Sequence, residues 1–294
     1  MKLLKRKKIG IYGKPSNQLA AAIYEGASAL NFAPFFRNPG PFGYDQFEDF
    51  DYVVAIGLVD KGRLIRDAYN SVKQVPVFIA DAGYILRDQG YYQFGLNDLN
   101  WLPETAEPDR AENMGLVVDA KRKTAGEYIL VCGQKPGDSQ HDIDVDKWQV
   151  ETTRKLRELT DKEIIFRPHP KVKSIKPSLG KQLKNAFAVV TYNSTAAYEA
   201  ILKGVPVFCD PCAAYASLCD TDLAGIETPK SRAKFTRQKL FDRLAYAQWT
   251  LEELTTPEPL RLLIDKGNFW MQAAKKQKRQ ESSEDQPGEQ INAV

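Results

Sequence analysis

The 294-residue sequence contains only two histidines and four cysteines, which restricts the metal sites it can build. Cys209 and Cys212 form a C-x-x-C pair, but no second C-x-x-C or H-x-x-H pair accompanies them, as a structural zinc site would require. The other two cysteines are Cys132 and Cys219. We therefore expect free thiols in a reducing compartment and no metal-binding residues.

Long apolar segments are also missing from the sequence. No stretch approaches the ~20 apolar residues that a membrane-spanning helix needs. The basic start MKLLKRKK leads directly into a strand-like segment and lacks the apolar core of a signal peptide. We expect a soluble, cytoplasmic protein without a membrane span.

Neither sign of charge dominates the chain, since 41 Lys and Arg face 38 Asp and Glu, a net charge of +3. The basic residues nevertheless cluster at 2–8, 171–184 and 230–243. The third cluster consists of Lys230, Arg232, Lys234, Arg237, Lys239 and Arg243. Such runs are usually solvated faces, but together they leave a nucleic acid open as a partner.

Length and hydrophobic pattern predict an α/β fold with two Rossmann-like domains, because a single core stops growing near ~250–300 residues. Buried strands alternate with amphipathic helices in both halves, which is typical of parallel sheets with crossover helices. The strands are predicted at 8–13, 52–57, 75–80, 128–133, 163–167, 188–191 and 205–208. Two such sheets facing each other would form a central cleft at their carboxyl ends, where ligands of these folds bind.

The predicted boundaries follow from changes in composition. We place the first domain at 1–125 and the second at 126–256, followed by a helix at 257–275 that packs back on the first domain. The polar tail at 276–294 is expected to be disordered. Other predictions are a helix at 16–30 capped by Ser16, an irregular region at 83–125 and a single helix at 237–254.

The first candidate binding motif is Arg167-Pro168-His169-Pro170, directly after a predicted strand. The two prolines fix the backbone around His169 and limit where its imidazole can point. Arg167 adds a permanently charged, planar donor beside it. At the carboxyl end of a strand these groups could bind a phosphate oxygen. The alternative is a turn in which His169 satisfies a local carbonyl.

The second motif is the strand-to-helix passage Val189 to Thr195. Free N–H groups and the dipole at a helix start attract anions, and the hydroxyls of Ser194 and Thr195 would add donors. Simple capping by Asn193 or Ser194 is the alternative interpretation. Glu199, one turn into the helix, could accept hydrogen bonds from a ribose or could be a surface glutamate.

The third motif is the segment 133–138, GQKPGD, after the first strand of the second half. Its glycines would let the backbone approach a ligand closely. The segment has neither the spacing of a P-loop nor that of a dinucleotide-binding loop. Since all three motifs follow strands of one sheet, we predict a phosphate site made of Arg167, His169, Ser194, Thr195, Gly133 and Gln134.

The sequence RPHP followed about two dozen residues later by VVTYNSTAAYEAILKGVPVF resembles the nucleotide-sugar-binding half of GT-B glycosyltransferases. It is similar to the capsule-polysaccharide, Kdo-transferase-like group and to sialyltransferases with His-Pro and Ser-Ser/Thr motifs. Wall-teichoic-acid glycerophosphotransferases show a related pattern. The resemblance covers roughly 128–212 and implies that His169, Ser194 and Thr195 bind the phosphate of a nucleotide-sugar donor. The first domain carries no matching motif, so we expect the acceptor there without support from the resemblance.

Transfer to a hydroxyl needs a group that takes its proton, and Asp81 after a first-half strand is our candidate for this base. The alternative is that Asp81 organises a turn. We expect a metal-independent reaction in which hydrogen-bond donors and a helix dipole stabilise the leaving phosphate. No cofactor is expected beyond the nucleotide-sugar co-substrate. Residues expected on the acceptor side are Gly13, Lys14, Arg87, Asp88, Tyr91, Tyr92 and Asn97.

Two acceptors are compatible with this interpretation. We favour a hydroxymethylated base in phage DNA, modified in the host cytoplasm, because the basic segments contain aromatics such as Phe235 and Tyr246 that could contact bases. A capsule or surface glycan is the alternative acceptor. Other classes left open are a nucleotide-diphospho-alcohol phosphotransferase, a sugar epimerase and a non-catalytic nucleotide-binding module.

Overall fold

The computed structural model describes residues 6–40, 47–121, 123, 125–138, 143–170 and 176–284, with only the backbone at 270 and 273–284. It is an α/β protein with two sheets, so the predicted fold class and its Rossmann-like parallel sheets are confirmed. The predicted basic clusters at 2–8 and 171–184 lie partly outside the described residues.

The first sheet has six strands in the order β10-β5-β4-β3-β1-β2. Strand β1 pairs in parallel with β2 and β3, and β3 pairs in parallel with β4. Its central strands are apolar on both faces, as parallel strands between helices must be. The strands are β1 Lys8–Tyr12, β2 Ala33–Arg37, β3 Tyr52–Ile56, β4 Val77–Ala82, β5 Tyr91–Leu96 and β10 Gln248–Thr250.

The second sheet has four parallel strands in the order β7-β6-β8-β9. They are β6 Tyr128–Cys132, β7 Glu163–Arg167, β8 Ala186–Thr191 and β9 Val207–Phe208. A core cluster that includes Ile129, Leu156 and Phe208 fills the space under helix α4, Val145–Leu159. The strand order reverses between β6 and β8, which is where ligands of doubly wound sheets bind.

The remaining helices connect or flank these strands. Helix α9 packs on α1 and α8, and the Tyr52 hydroxyl donates to Asn268 Oδ1 at 2.8 Å. The helices are α1 Gln18–Ala29, α2 Lys61–Ala68, α3 Asp109–Asn113, α5 Leu179–Leu183, α6 Ala196–Leu202, α7 Lys234–Ala245, α8 Leu251–Leu254 and α9 Glu258–Glu284. A π-helical turn, Tyr69–Lys73, continues α2.

Several local predictions were wrong. Asn17, not Ser16, caps α1, because its side chain accepts the Ala20 N–H. The region 83–125 is not irregular throughout, since it contains β5 and α3. The single helix predicted at 237–254 is divided by strand β10, which begins at the buried Gln248. Helix α9 extends through 276–284, where Lys, Gln, Arg and Glu favour a helix, and the expectation of a disordered tail stays a prediction.

The chain forms two compact units that interleave along the sequence. The first unit comprises 1–80, 94–98 and 250–294, and the second comprises 81–93 and 99–249. The sequence places a boundary at 125, whereas the units divide within strands β4, β5 and β10. The segment 81–93 therefore belongs to the unit that carries the RPHP motif.

Candidate functional site

A cavity of about 620 Å³ in the second unit collects most of the predicted phosphate-binding residues. Its volume lies in the ~300–1,000 Å³ range of small-molecule sites. The cavity is lined by Tyr84, Ile85, Leu86, Arg87, Asp88, Leu116, Arg167, His169, Pro170, Leu179, Ser194, Thr195, Ala196, Glu199 and Leu202. Sequence reasoning found the polar members of this set and missed Tyr84 and the aliphatic wall, because apolar residues carry no signal that separates a cavity wall from a core.

Arg167 and His169 reach the cavity because β7 ends at Arg167 and the prolines that follow stop the strand. Arg167 Nη1 donates to the Pro177 carbonyl at 3.0 Å and to Gln182 Oε1. These two acceptors hold the guanidinium in place at the cavity edge. His169 is half-buried in the same wall. A fixed cation beside an imidazole is a suitable pair of donors for a phosphate.

Ser194 and Thr195 precede α6, whose N-cap is Thr195. The Thr195 side chain makes no capping hydrogen bond to the helix. The Ser194 N–H donates to Thr191 Oγ1 at 3.2 Å, and the Ser194 carbonyl accepts from the Tyr215 hydroxyl at 2.9 Å. The turn between β8 and α6 is thus fixed from both sides, with both predicted hydroxyl residues lining the cavity.

Gly133 and Gln134 support this turn from behind. Gln134 is buried, and with its amide oxygen facing the turn it accepts the N–H groups of Asn193 at 2.7 Å and Ser194 at 3.1 Å. The Gly133 N–H donates to the Arg167 carbonyl at 2.9 Å, and a Cβ there would lie 2.7 Å from the Phe166 ring. Both residues connect the ends of neighbouring strands, which suits a positioning role.

Glu199 lines the cavity from the first turn of helix α6. Glu199 is exposed to solvent at the cavity wall, and desolvation by the surrounding protein raises the pKa of its carboxyl group above the ordinary value, while the cations of Lys203 and Arg167 oppose that shift. The ionised carboxylate is therefore disfavoured by the site when the cavity is empty. A ligand hydroxyl that donates to it would relieve this cost.

We expect Glu199→Gln to raise the melting temperature slightly at neutral pH, because solvent screens much of the effect at this exposed side chain. The pKa of Glu199 is raised in the folded state, so its ionised form costs stability above that pKa, and the cost vanishes as pH falls below the unfolded value near 4.5. The gain in melting temperature should therefore shrink toward acidic pH. Scanning calorimetry of both proteins across this range measures it. A variant less stable than the wild type at neutral pH would contradict this electrostatic account.

The segment 84–88 forms the wall facing α6. Tyr84 stacks on Tyr198, and its N–H donates to the buried Gln248 Oε1 at 2.8 Å. Leu86 has φ 51°, a left-handed conformation that costs energy for a residue with a Cβ and is found preferentially at functional sites. The strained turn brings Arg87 and Asp88 to the cavity.

Asp81, the predicted base, is half-buried at the end of β4, where its Oδ1 accepts the Ala82 N–H at 2.7 Å. In the described part of the chain, the carboxylates that line the cavity are Asp88 and Glu199. Tyr91 and Tyr92 are half-buried in β5 of the second unit.

Three predicted acceptor-side residues, Gly13, Lys14 and Asn97, belong to the first unit. The Gly13 N–H donates to the Arg37 carbonyl at 3.0 Å, and Lys14 is exposed. Asn97 has φ 60°, and its side chain accepts the Val77 N–H at 2.9 Å. Asn97 thereby fixes the end of β5 against the start of β4.

Half of the basic cluster at 230–243 is engaged within the fold. Arg237 is 1% exposed and donates to the carbonyls of Ile201, Asp119 and Arg232. Arg243 donates to the Pro103 carbonyl. The Lys239 ammonium lies 4.4 Å from the centre of the Phe235 ring. These contacts stabilise the second unit and reduce the positive surface that the sequence predicts.

The aromatic residues of this region differ in exposure. Phe235 is 70% exposed, whereas the Tyr246 hydroxyl donates to Asp109 Oδ1 at 3.0 Å. Tyr246 also packs edge-on against Trp249. Tyr246 is thus held by its own neighbours.

Aspartate pairs with the Asp-x-Asp spacing of metal-binding glycosyltransferases occur at 49–51, 142–144, 144–146 and 220–222, and position 142 lies outside the described residues. Each pair has a backbone role in the fold. Asp51 accepts the Lys8 N–H at 2.8 Å, Asp144 accepts the Lys147 N–H at 3.0 Å, and Asp222 accepts the Ala224 N–H at 3.0 Å. Among the described residues, no group of three His, Cys, Asp or Glu side chains is arranged to hold a metal ion.

Within the described ranges, no helix combines the length and apolar character needed to cross a bilayer. The long helix α9 fails this requirement because charged residues recur along it.

No protein-family model and no curated protein matches this sequence. Two solved structures share its fold. The beta Kdo 2,4 transferase KpsC of Thermosulfurimonas dismutans matches with a TM-score of 0.52 at 15% identity, over 91% of this chain and 99% of the other. The beta Kdo 2,7 transferase KpsC of the same organism matches with a TM-score of 0.52 at 16% identity, over 86% and 99%. At such identities the likeness shows a common fold, in agreement with the GT-B-like class predicted from the sequence.

Proposed function

We propose that this chain is a glycosyltransferase that binds a nucleotide-activated sugar in the cavity of the second unit. The observation that carries the proposal is the convergence of Arg167, His169, Ser194 and Thr195 on one cavity. These residues come from two motifs about two dozen positions apart, RPHP and YNST. The fold shared with two Kdo transferases supports the same class.

In this proposal the side chains divide into phosphate and ribose contacts. Arg167, His169 and the two hydroxyls donate to the donor's phosphate, whose negative charge grows as the glycosidic bond breaks. Glu199 accepts hydrogen bonds from the ribose hydroxyls, as its position behind the phosphate donors favours. Gln134 and Gly133 position the strand-end loops that carry these groups. No step in this scheme requires a metal ion.

The proton of the acceptor hydroxyl needs a base, and Asp88 is better situated than Asp81 for that role. Asp88 lines the cavity, whereas the Asp81 carboxylate caps its own neighbour, Ala82. The acceptor oxygen attacks the anomeric carbon, the bond from that carbon to the phosphate oxygen breaks, and Asp88 takes the hydroxyl proton. The products are the glycosylated acceptor and the free nucleotide.

We propose a glycan as the acceptor in place of the DNA base favoured from the sequence. The DNA hypothesis depended on basic segments with interleaved aromatics. Arg237 and Arg243 are engaged with backbone carbonyls, and Tyr246 bonds to Asp109. Although Lys230, Lys234 and Lys239 remain exposed, the engagement of these groups in the fold weakens the case for a polyanionic acceptor.

A screen of donors tests the class. The purified protein is heated with UDP-, CMP-, CDP- and GDP-linked sugars, and one of them should raise the melting temperature, because a ligand of the native state stabilises it. The donor found is then incubated with surface-glycan fragments and, separately, with hydroxymethylated DNA. Mass spectrometry should find the sugar on a glycan. Sugar on the DNA base would return the acceptor to the sequence-based hypothesis, and stabilisation by no donor would reject the transferase.

A further inference from the structure

A second cavity, of about 390 Å³, lies in the same unit but shares no lining residue with the donor cavity. It opens between helix α4 and the carboxyl ends of β8 and β9. Its volume falls within the range of small-molecule sites, and its position at strand ends is the usual one for ligands of such sheets.

The walls of this cavity combine an aromatic ring with groups that can both donate and accept. Trp148 forms one wall and meets the Tyr192 ring edge-on, with 6.4 Å between the ring centres. Glu151 and Asp210 offer carboxylate acceptors, while Arg154 and Lys155 offer donors. Apolar contact from Val190 and Phe208 completes the floor.

The charges of the cavity balance. Two carboxylates, those of Glu151 and Asp210, face two cations, those of Arg154 and Lys155, so the formal sum is zero. Three of these groups also have an ion-pair partner outside the lining, and Glu151 Oε1 lies 3.9 Å from Lys147 Nζ. Arg154 Nη1 lies 2.6 Å from Glu158 Oε1, and Lys155 Nζ lies 4.0 Å from Asp222 Oδ1.

This pattern restricts the chemistry of a ligand. An anion would meet Glu151 and Asp210, a cation would meet Arg154 and Lys155, and an apolar molecule would remove water from these charged groups without replacing its hydrogen bonds. A hydroxyl group both donates and accepts, so a neutral molecule with many hydroxyls can satisfy both kinds of lining group. The C–H face of a sugar ring would provide apolar contact for Trp148.

We propose that this second cavity binds a neutral saccharide unit. The interpretation of that unit as part of a glycan acceptor or product rests on the proposed function, whereas the binding itself does not. Thr191 connects the two cavities, since it lines the second cavity while its hydroxyl accepts the N–H of Ser194, a donor-site residue. A saccharide bound there would contact the same strand end that supports the donor site.

Saturation-transfer NMR on the full chain tests the site with defined probes: glucose, galactose, rhamnose, N-acetylglucosamine, lactose and chitobiose. At least one should receive saturation from the protein. Trp148→Ala should abolish that signal, Trp148→Phe should keep part of it, and Glu151→Gln should weaken affinity roughly 2- to 10-fold, as loss of one hydrogen bond does. Glu151 is exposed on α4, so its replacement leaves the fold intact.

Arg157→Gln is the matched control, because Arg157 is also exposed on α4 but lines no part of this cavity. Its signal should equal that of the wild type. The absence of a saturation-transfer signal for every probe overturns the proposal. An unchanged signal in both Trp148→Ala and Glu151→Gln also overturns it. Preference for glucuronate over glucose overturns the neutral character of the ligand. The donor screen is scored separately. If the protein binds a saccharide probe but no nucleotide sugar, the proposed function is rejected and the saccharide site is supported.

Discussion

Asp88→Asn is expected to lower the turnover of glycosyl transfer by about 10²–10⁴-fold, the usual contribution of a general base. Asparagine keeps the size of the side chain but cannot take the acceptor proton. Asp88 is exposed on a short turn, so the variant should fold normally and bind the donor with unchanged affinity. Steady-state kinetics with the donor found by the screen, together with calorimetric donor binding, separates the two effects.

Asp81→Asn is the control for this prediction. Its carboxylate accepts the Ala82 N–H, a bond that the asparagine oxygen can retain, so turnover should change only a few-fold. The reverse pattern, with Asp81→Asn inactive and Asp88→Asn active, would restore the assignment made from the sequence. Full activity in both variants would mean that neither Asp81 nor Asp88 is the general base.

Arg237→Met should destabilise the protein by about 3 kcal/mol or more, because it leaves buried carbonyls without donors while filling a similar volume. The guanidinium donates to carbonyls from three separate segments of the second unit, represented by Ile201, Asp119 and Arg232. For a chain of this size the loss corresponds to a melting temperature lower by roughly 10 °C. Urea titration and scanning calorimetry measure it.

Lys239→Met on the same helix serves as the comparison. Lys239 is exposed, and its ammonium contacts only the exposed Phe235 ring in the described structure, so the change should stay within about 0.5 kcal/mol. Equal effects of the two variants would mean that Arg237 does not connect the segments as its contacts indicate. The pair also tests whether the basic cluster has a structural role. If its residues served only to bind DNA, both variants would keep the free energy of unfolding of the wild type.

The regular elements were predictable where burial alone decides them. Strands β1, β3 and β6 are mostly buried apolar segments, and α4 shows a clear helical period with Asp144 at its cap. Strand β5 was not predicted, because the aromatic and glycine-containing sequence YYQFGL resembles a loop. Its Gln93 is fully buried and bonds to Gln248 and the Leu99 carbonyl. Gln248 lies 155 positions away and gives no local signal.

The candidate site was predictable in part, for a related physical reason. The RPHP and YNST motifs stand at strand ends, so their convergence followed from the parallel topology. Arg87 and Asp88 were predicted as site residues, whereas the contribution of Tyr84 could not be predicted, because it depends on its packing against Tyr198 and Gln248. The supporting role of Gln134 likewise depends on its burial behind the Ser194 turn. From the sequence alone, a loop glutamine that supports a turn cannot be distinguished from one that contacts a ligand.

Calorimetric titration of the wild type and His169→Ala with the donor from the screen tests the central claim most directly. His169 is only half-buried and contributes little to the hydrophobic core, so the melting temperature of the variant should stay within a few degrees of the wild type. Its donor affinity should fall roughly 10- to 100-fold, as expected for loss of a hydrogen bond to a charged phosphate. Unchanged donor affinity in the folded His169→Ala protein would contradict the assignment of this cavity to the donor's phosphate.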